Sequence, residues 1–262
     1  MSPDDTDGAA PMIHLTLDGA VARLTLDRPP LNVLTIAMLR EMATTVAEVA
    51  AADEVSVLVI EGKGKAFCAG VDVADHTEDR VPEMLEVFHG ALSRIEELEV
   101  PVVAAVHGAC LGGGMELALA CDLVLASEDA RLGQPEVRLG VLPPYAAVVL
   151  PGRIGRGTAF DLVLTGRTLH AAEARDAGLV QHVFPRDVFA DEVAEYVGRL
   201  ASLSAPVLKL AKRALATGLS LPPEEALRVV EDLYRNELMG LEDAREGLSA
   251  FMERRSPVWK GR

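Results

Sequence analysis

Cysteine is scarce in this 262-residue chain, which carries only Cys68, Cys110 and Cys121. An odd number of thiols at no metal-ligand spacing argues against a disulfide framework or a zinc site and favours a reduced, cytoplasmic setting. Long apolar runs are missing too: none reaches the ~18 residues of a bilayer span, because charges or glycines interrupt every candidate. The first ten residues hold Asp4, Asp5 and Asp7 but no basic cluster and no apolar stretch. Residues 1–10 are therefore expected to be a disordered, solvated tail, not a signal or transit peptide. Positive charge is also in deficit, with 25 Lys and Arg against 40 Asp and Glu and a net charge of −15. That balance excludes a nucleic-acid surface, which needs a basic stripe. An anionic ligand would have to be held by local donors against the overall field, and Arg23, Lys63, Lys65 and Lys260 are the candidates.

Half the residues are hydrophobic, enough to bury a sizeable core in one large domain or a domain with an appendage. Ile13 to Leu17 and Val21 to Leu26 read as a hairpin turning at Asp18-Gly19. After Arg28-Pro29-Pro30, Thr35 is an N-cap for a helix running to about Ala52. Val55 to Ile60 and Val102 to Val106 are β-branched runs of the kind found in strands buried on both faces. Between them, Met84, Leu85, Phe88, Leu92 and Ile95 give Pro82 to Leu98 a helical period. A glycine-rich turn, a helix from about Gly113 to Ala120 and a strand at Leu123 to Ala126 follow. This alternation predicts parallel strands joined by right-handed crossovers. From about Thr158 the pattern becomes almost wholly helical. A helix starts near Thr168 or His170, a short strand covers Gln181 to Phe184, and helices cover roughly 188–203, 205–217, 223–238 and 241–255. The expected organisation is a core over 11–200 and a helical C-terminal region over 201–262.

Two glycine-containing turns could carry chemistry. Lys65-Ala66-Phe67-Cys68-Ala69-Gly70-Val71-Asp72 follows the first buried strand, and His107-Gly108-Ala109-Cys110-Leu111-Gly112-Gly113-Gly114-Met115-Glu116 follows the second. One backbone N–H from each could converge on a single oxygen as an oxyanion hole, the second from the start of a helix. The alternative is that these glycines serve only tight turns and helix–sheet packing. A phosphate loop is excluded, since no Lys-Ser/Thr follows Gly114, and the glycine spacing does not fit a dinucleotide fingerprint. Glu116 sits in an apolar helix start and Glu136 in the irregular Gly133-Gln134-Pro135-Glu136-Val137. Carboxylates in apolar surroundings are pushed toward the pKa range useful for proton transfer. Each could instead be ordinary, Glu116 as a first-turn glutamate and Glu136 as a loop carboxylate.

Taken together, Phe67-Cys68-Ala69-Gly70-Val71-Asp72, Gly112-Gly113-Gly114-Met115-Glu116-Leu117-Ala118, Cys121-Asp122 and Gly133-Gln134-Pro135-Glu136 resemble the crotonase (enoyl-CoA hydratase/isomerase) family. The likeness runs from Asp27-Arg28-Pro29 through Leu164-Thr165-Gly166 to Pro257-Val258-Trp259-Lys260. It implies an α/β fold: a spiral of β-β-α units with an α-helical C-terminal region for trimerisation, assembled as a homo-oligomer, a trimer or dimer of trimers. By position, Val71 and Gly113 supply the oxyanion-hole N–H groups and Glu116 and Glu136 are catalytic. The resemblance also puts Ala66, Cys68, Ala69, Asp72, Val73, Tyr145 and Lys260 along the substrate and CoA site. It implies no cofactor beyond the CoA of the acyl-CoA substrate, and no metal, nucleic acid or membrane.

The presence of both glutamates favours reversible syn addition of water to a 2-enoyl-CoA over double-bond isomerisation, which needs no attacking water. A CoA-binding protein without catalysis is the alternative from another class, and it gives no chemical reason to keep two carboxylates in apolar surroundings. Where ordinary hydratases have a Gly-Ala-Gly-Gly turn, this chain has Leu142-Pro143-Pro144-Tyr145-Ala146-Ala147, read here as a stiffened turn that puts bulk beside the acyl pocket. With Arg28-Pro29-Pro30-Leu31-Asn32-Val33-Leu34, it is similar to the subgroup that hydrates cyclic dienoyl-CoA thioesters.

Overall fold

A computed structural model describes residues 10–262, so the acidic stretch expected as a disordered tail lies outside the described residues except for Ala10. Strands β1 (Ile13–Asp18) and β2 (Val21–Leu26) form the expected antiparallel hairpin, with Gly19 at φ 56° in the turn. Helix α1 (Ile36–Ala50) is capped by Thr35, whose hydroxyl accepts from the Met38 N–H at 3.2 Å. Its buried Ile36, Leu39, Met42, Val46 and Val49 recur at the three- and four-residue spacing of one helical face. Then come β3 (Val57–Gly62), α2 (Val81–Glu97), β4 (Val102–Val106), β5 (Ala109–Leu111), α3 (Gly113–Leu119), β6 (Leu123–Ser127) and β7 (Arg131–Gly133). The second half holds α4 (Pro144–Ile154), α5 (Arg156–Thr165), β8 (Thr168–His170), α6 (Ala171–Asp176), β9 (His182–Phe184), α7 (Phe189–Ala201), α8 (Ala205–Ser220), α9 (Pro223–Asn236) and α10 (Glu242–Glu253).

The main sheet has the order β1-β2-β3-β4-β6-β9, parallel from β2 onward as the alternation predicted. All five residues of β4 are buried because both faces of the sheet are covered. On one face, Leu58, Ile60, Val102 and Ala104 pack with α1, α2 and α3; on the other, Val57, Val59, Val103 and Leu125 pack with Phe189, Val193 and Val197 of α7. Each valine, leucine or isoleucine among them contributes about 1.5–3 kcal/mol on leaving water. A second sheet, β5-β7-β8, lies beyond the ends of β4 and β6. Strand pairs β4–β5 and β6–β7 thus each give one strand to each sheet before the chain turns into a helical segment, which is the β-β-α spiral expected.

The structure corrects several expectations. Strands β5 and β7 were not predicted, because three residues are too few to show a period. Segment 168–170 is strand β8, paired antiparallel with β7, and of the two expected cap positions the helix takes His170, whose N–H donates to Glu173 at 2.9 Å. The stretch read as a stiffened turn is the beginning of α4. Pro144 occupies its first turn, where proline's missing N–H costs nothing, and Ala146-Ala147 continues the helix. The mostly helical part of the chain therefore begins at Pro144 and not at Thr158.

At the far end, Asp243 organises the chain terminus. Its buried carboxylate accepts from Ser204 Oγ at 2.7 Å, Lys260 N–H at 2.7 Å and Gly261 N–H at 3.1 Å, while the Trp259 ring nitrogen donates to the Ser202 carbonyl at 3.0 Å.

Candidate active site

The unpredicted pairing of β5 with β7 sets the geometry of the site. These parallel neighbours end side by side, Leu111 opposite Gly133, and the Gly112 N–H donates to the Gly133 carbonyl at 2.9 Å. Chain leaving one edge in the same direction delivers Glu116 at the first turn of α3 and Glu136 in a 3-10 turn over Pro135–Leu139. The two carboxylates are close enough for the Glu116 charge to act on Glu136.

Glu116 is 3% exposed, and Oε1 accepts from the Ala146 N–H at 2.8 Å. Burial raises its pKa, and the amides of Ala146 and Tyr145 pull the other way. Burial also pushes Glu136 up to about 7; its own backbone N–H opposes this and the Glu116 charge adds to it. Gly112, at φ 52°, passes so close that a Cβ there would lie 2.5 Å from Glu136 Oε1.

The two glycine turns interlock. Phe67 to Val71 runs between two other segments: Cys68 pairs with Cys110 on one side and Val71 with Leu34 on the other. Cys68 donates its N–H to Ala109 O at 3.0 Å and accepts from Leu111 N at 3.0 Å. Gly70 O accepts from Leu34 N at 2.9 Å, and Asp72 N donates to Leu34 O at 2.8 Å. In such a parallel pair the flanking residues bond to Leu34, so the N–H of Val71 itself faces the opposite edge, where Gly113 lies. Val71 Cγ2 would meet a Cβ at Gly113 at 2.6 Å, and the Phe88 ring of α2 closes the same spot at 3.2 Å. Gly113 opens α3, so its N–H has no acceptor within the helix. At Gly114 a Cβ would fall 2.2 Å from the Cys68 carbonyl.

The remaining predicted site residues are placed less uniformly. Ala66 and Cys68 are fully buried, with the Cys68 thiol turned to the Gly70 carbonyl at 3.6 Å; burial pushes that thiol up to about 12, which excludes a thiolate nucleophile. Ala69 donates its N–H to Leu31 O at 3.0 Å. Asp72 caps a short 3-10 turn and pairs with Arg28 at 3.2 Å, while Val73 is 65% exposed. Tyr145, half-buried beside the amide that serves Glu116, donates its hydroxyl to Glu96 of α2 at 2.5 Å. Lys260 lies at the terminus with its ammonium on Glu242 at 3.3 Å, apart from the two carboxylates. Among the other candidate cations, Arg23 pairs with Glu61 at 3.2 Å and Lys63 with Asp27 at 2.7 Å; Lys65 has no acidic partner among the described residues.

Residues 16–262 match the family described as enoyl-CoA hydratase/isomerase. The chain belongs to that family. It is 37% identical over 258 residues to a cyclohexa-1,5-dienecarbonyl-CoA hydratase of Thauera aromatica, covering 98% of this chain and all of that one. A 2,3-dehydroadipyl-CoA hydratase of Escherichia coli is 36% identical over 245 residues, 92% of this chain and 96% of the relative. A crystal structure of an enoyl-CoA hydratase from Bacillus anthracis superposes with a TM-score of 0.91 at 33% identity, covering 96% of this chain and 100% of that one. The family's fold is therefore this chain's fold.

Sequence reasoning missed three contributors to the site. Asn32, at φ 53° and buried, donates to the carbonyls of Lys63, Ala66 and Phe67 at 3.0, 2.8 and 3.2 Å and so fixes the first glycine turn. Its place after Pro29-Pro30-Leu31 was the available signal, since Asn tolerates left-handed backbone better than most residues. Phe88 looked like an ordinary helix-core position. Gln134, wholly buried beside Glu136, was visible only as part of a motif.

Proposed function

We propose that the chain is an enoyl-CoA hydratase that adds water reversibly and syn across the 2,3 double bond of an acyl thioester, and that the acyl group is not a simple short straight chain but of the cyclic dienoyl type. The observation that carries this reading is the arrival of a buried carboxylate, Glu116, and a half-buried one, Glu136, from parallel strands, beside the turns that hold the Val71 and Gly113 amides. Those amides donate to the thioester oxygen as it becomes an enolate, and the interlocked turns hold them in place beforehand. One carboxylate orients and deprotonates the attacking water while the other exchanges the proton at Cα. Two groups with pKa values raised toward neutrality suit that exchange. Isomerisation would require only one of them.

Two observations support the cyclic acyl group. Tyr145, whose backbone amide faces Glu116, stands where ordinary hydratases have a glycine turn and bonds Glu96 of α2 at 2.5 Å. The Thauera aromatica relative, named for a cyclic dienoyl thioester, is similar over 98% of the chain. The chain is also proposed to assemble as a trimer or a dimer of trimers, supported by large apolar side chains left exposed on α8 to α10. Three buried free thiols fit a cytoplasmic setting.

The test compares turnover of crotonyl-CoA and cyclohexa-1,5-diene-1-carbonyl-CoA, followed by loss of enoyl-thioester absorbance and by mass spectrometry in heavy-oxygen water. Label entering the cyclic product is expected. A strong preference for crotonyl-CoA removes the cyclic reading, unlabelled isomerised product removes hydration, and no turnover of any enoyl-CoA leaves the non-catalytic alternative.

A further inference from the structure

Among the described residues, two buried side-chain polar atoms meet no hydrogen-bond partner, Ser127 Oγ and His89 Nε2. Ser127 shares the α7 face of the main sheet with Leu125, by the alternation of β6. His89 belongs to α2, on the face of the sheet that carries the site. Its ring lies against that of Phe88, with centroids 5.6 Å apart. A buried ring nitrogen without a partner is rare in a folded protein and calls for a reason. Two contacts fix the rotation of α2 and show which way His89 projects. The Phe88 ring closes on Gly113, where it would lie 3.2 Å from a Cβ, and the Glu96 carboxylate accepts from the Tyr145 hydroxyl at 2.5 Å. At about 100° per residue, His89 and Glu96 stand about 100° and 80° round from Phe88 in the same sense, so they share one stripe of the helix. That stripe meets the start of α4, where the Tyr145 and Ala146 amides face Glu116. His89 thus projects between the Gly113 end of the site and α4, on the side of the acyl group.

We propose that His89 is a specificity-determining residue of the acyl subsite: its Nε2 hydrogen-bonds a neutral hydroxyl carried by the acyl group, away from the double bond that is hydrated. The inference rests on the hydratase reading for the identity of the thioester and adds a substituent to its cyclic acyl group. Burial lowers the pKa of His89, so at pH 7 the ring is neutral, with one nitrogen a donor and the other an acceptor. A hydroxyl donates and accepts, and so satisfies Nε2 in either tautomer. A carboxylate would bring a further negative charge to a site that already holds Glu116 and Glu136, and a neutral imidazole offers it no counter-charge. An acyl group without the hydroxyl leaves the nitrogen unpaired in the complex, which is how a buried polar group rejects an analogue that lacks its partner. The unsubstituted ring is thus a substrate, and a poorer one.

The test measures binding of saturated ligands that cannot be hydrated: cyclohexanecarbonyl-CoA and its 2-, 3- and 4-hydroxy isomers, titrated calorimetrically into wild type and H89L. Wild type should bind the 3- or the 4-hydroxy isomer about tenfold more tightly than the parent, as expected when one hydrogen bond relieves a buried unpaired group. H89L should hold the affinity for the parent and lose the preference. Equal binding of all four ligands by wild type, or a preference that H89L keeps, overturns the proposal. So does a preference confined to the 2-hydroxy isomer, whose oxygen sits on the carbon that hydration itself hydroxylates. If H89L does not fold, the wild-type chain decides by NMR. The Nε2 signal of His89, whose ring protons are recognised by their contact with the Phe88 ring, should shift with the preferred hydroxylated ligand and hold with the parent; a signal indifferent to the hydroxyl overturns the proposal. Binding is read without turnover. A chain inactive on every enoyl-CoA would therefore sink the hydratase reading and leave the His89 preference standing, whereas an active hydratase without that preference sinks this proposal and spares the other.

Discussion

Glu116 and Glu136 occupy positions that a folding chain would fill more stably with neutral residues. Each gives up hydration on burial, and the Glu116 charge raises the cost of ionising Glu136. For Glu136 the folded pKa lies above the unfolded one, so the folded state binds the extra proton. Its stabilising contribution is complete below the unfolded value near 4.5 and is lost as pH rises through about 7. Glu136→Gln should therefore raise Tm relative to wild type at pH 8 and change it little at pH 4, as differential scanning calorimetry would show. The same variant, and Glu116→Gln, should lower kcat by about 10²–10⁴ with CoA affinity nearly intact, because the donors proposed to bind the thioester are backbone groups. An E136Q chain no more stable than wild type at pH 8 would mean that Glu136 carries no burial cost. The two glutamates were legible in the sequence because a charge in an apolar context is conspicuous. Gln134 and Asn32 were not, since an amide's importance lies in which carbonyls or carboxylates face it, and that depends on segments about 30 residues away in the case of Asn32.

Among the elements, the long helices and the buried strands announced themselves by period and by β-branched runs, and their ends fell within a few residues of expectation. What the periodicity could not show was the short pair β5 and β7, which brings the two glutamates together. Nor could it separate a proline-rich turn from a helix whose first turn contains proline, and α4 was missed for that reason. The site was thus readable as a set of residues and not as an arrangement. The interlock of the glycine turns offers a test at this level. Gly114→Ala places a methyl 2.2 Å from the Cys68 carbonyl, a backbone atom that cannot move aside without shifting Val71. Overpacking of this kind costs about 1–3 kcal/mol. The expected result is a lower denaturation midpoint together with a loss of kcat exceeding any change in KM. A fully active, equally stable G114A would show that the turns do not depend on close contact.

The whole molecule carries a conspicuous asymmetry of burial. The core strands are shielded on both faces, while α8 has no buried residue and α9 only Ala226. Leu219 is 91% and Phe251 85% exposed, with Leu215, Leu227 and Met252 also in solvent. So much apolar surface on amphipathic helices is what an interface between copies would cover. Light scattering after size exclusion should give a multiple of three chain masses, and a charged residue in place of Leu219 or Phe251 should shift it toward monomer; a monodisperse wild-type monomer would remove the oligomer proposal. Molecular scale also bears on the small region around Val71. Three stretches far apart in sequence, around Leu34, Cys68 to Val71 and Cys110, are stitched into one ladder, so the amides there have little freedom to adapt to whatever arrives. Rigid donors discriminate by charge more than by shape. Under the proposed oxyanion-hole role of these amides, this favours ligands bearing a permanent negative charge where the thioester oxygen would sit, whose advantage over neutral thioester analogues would come from donors already in place before the ligand binds.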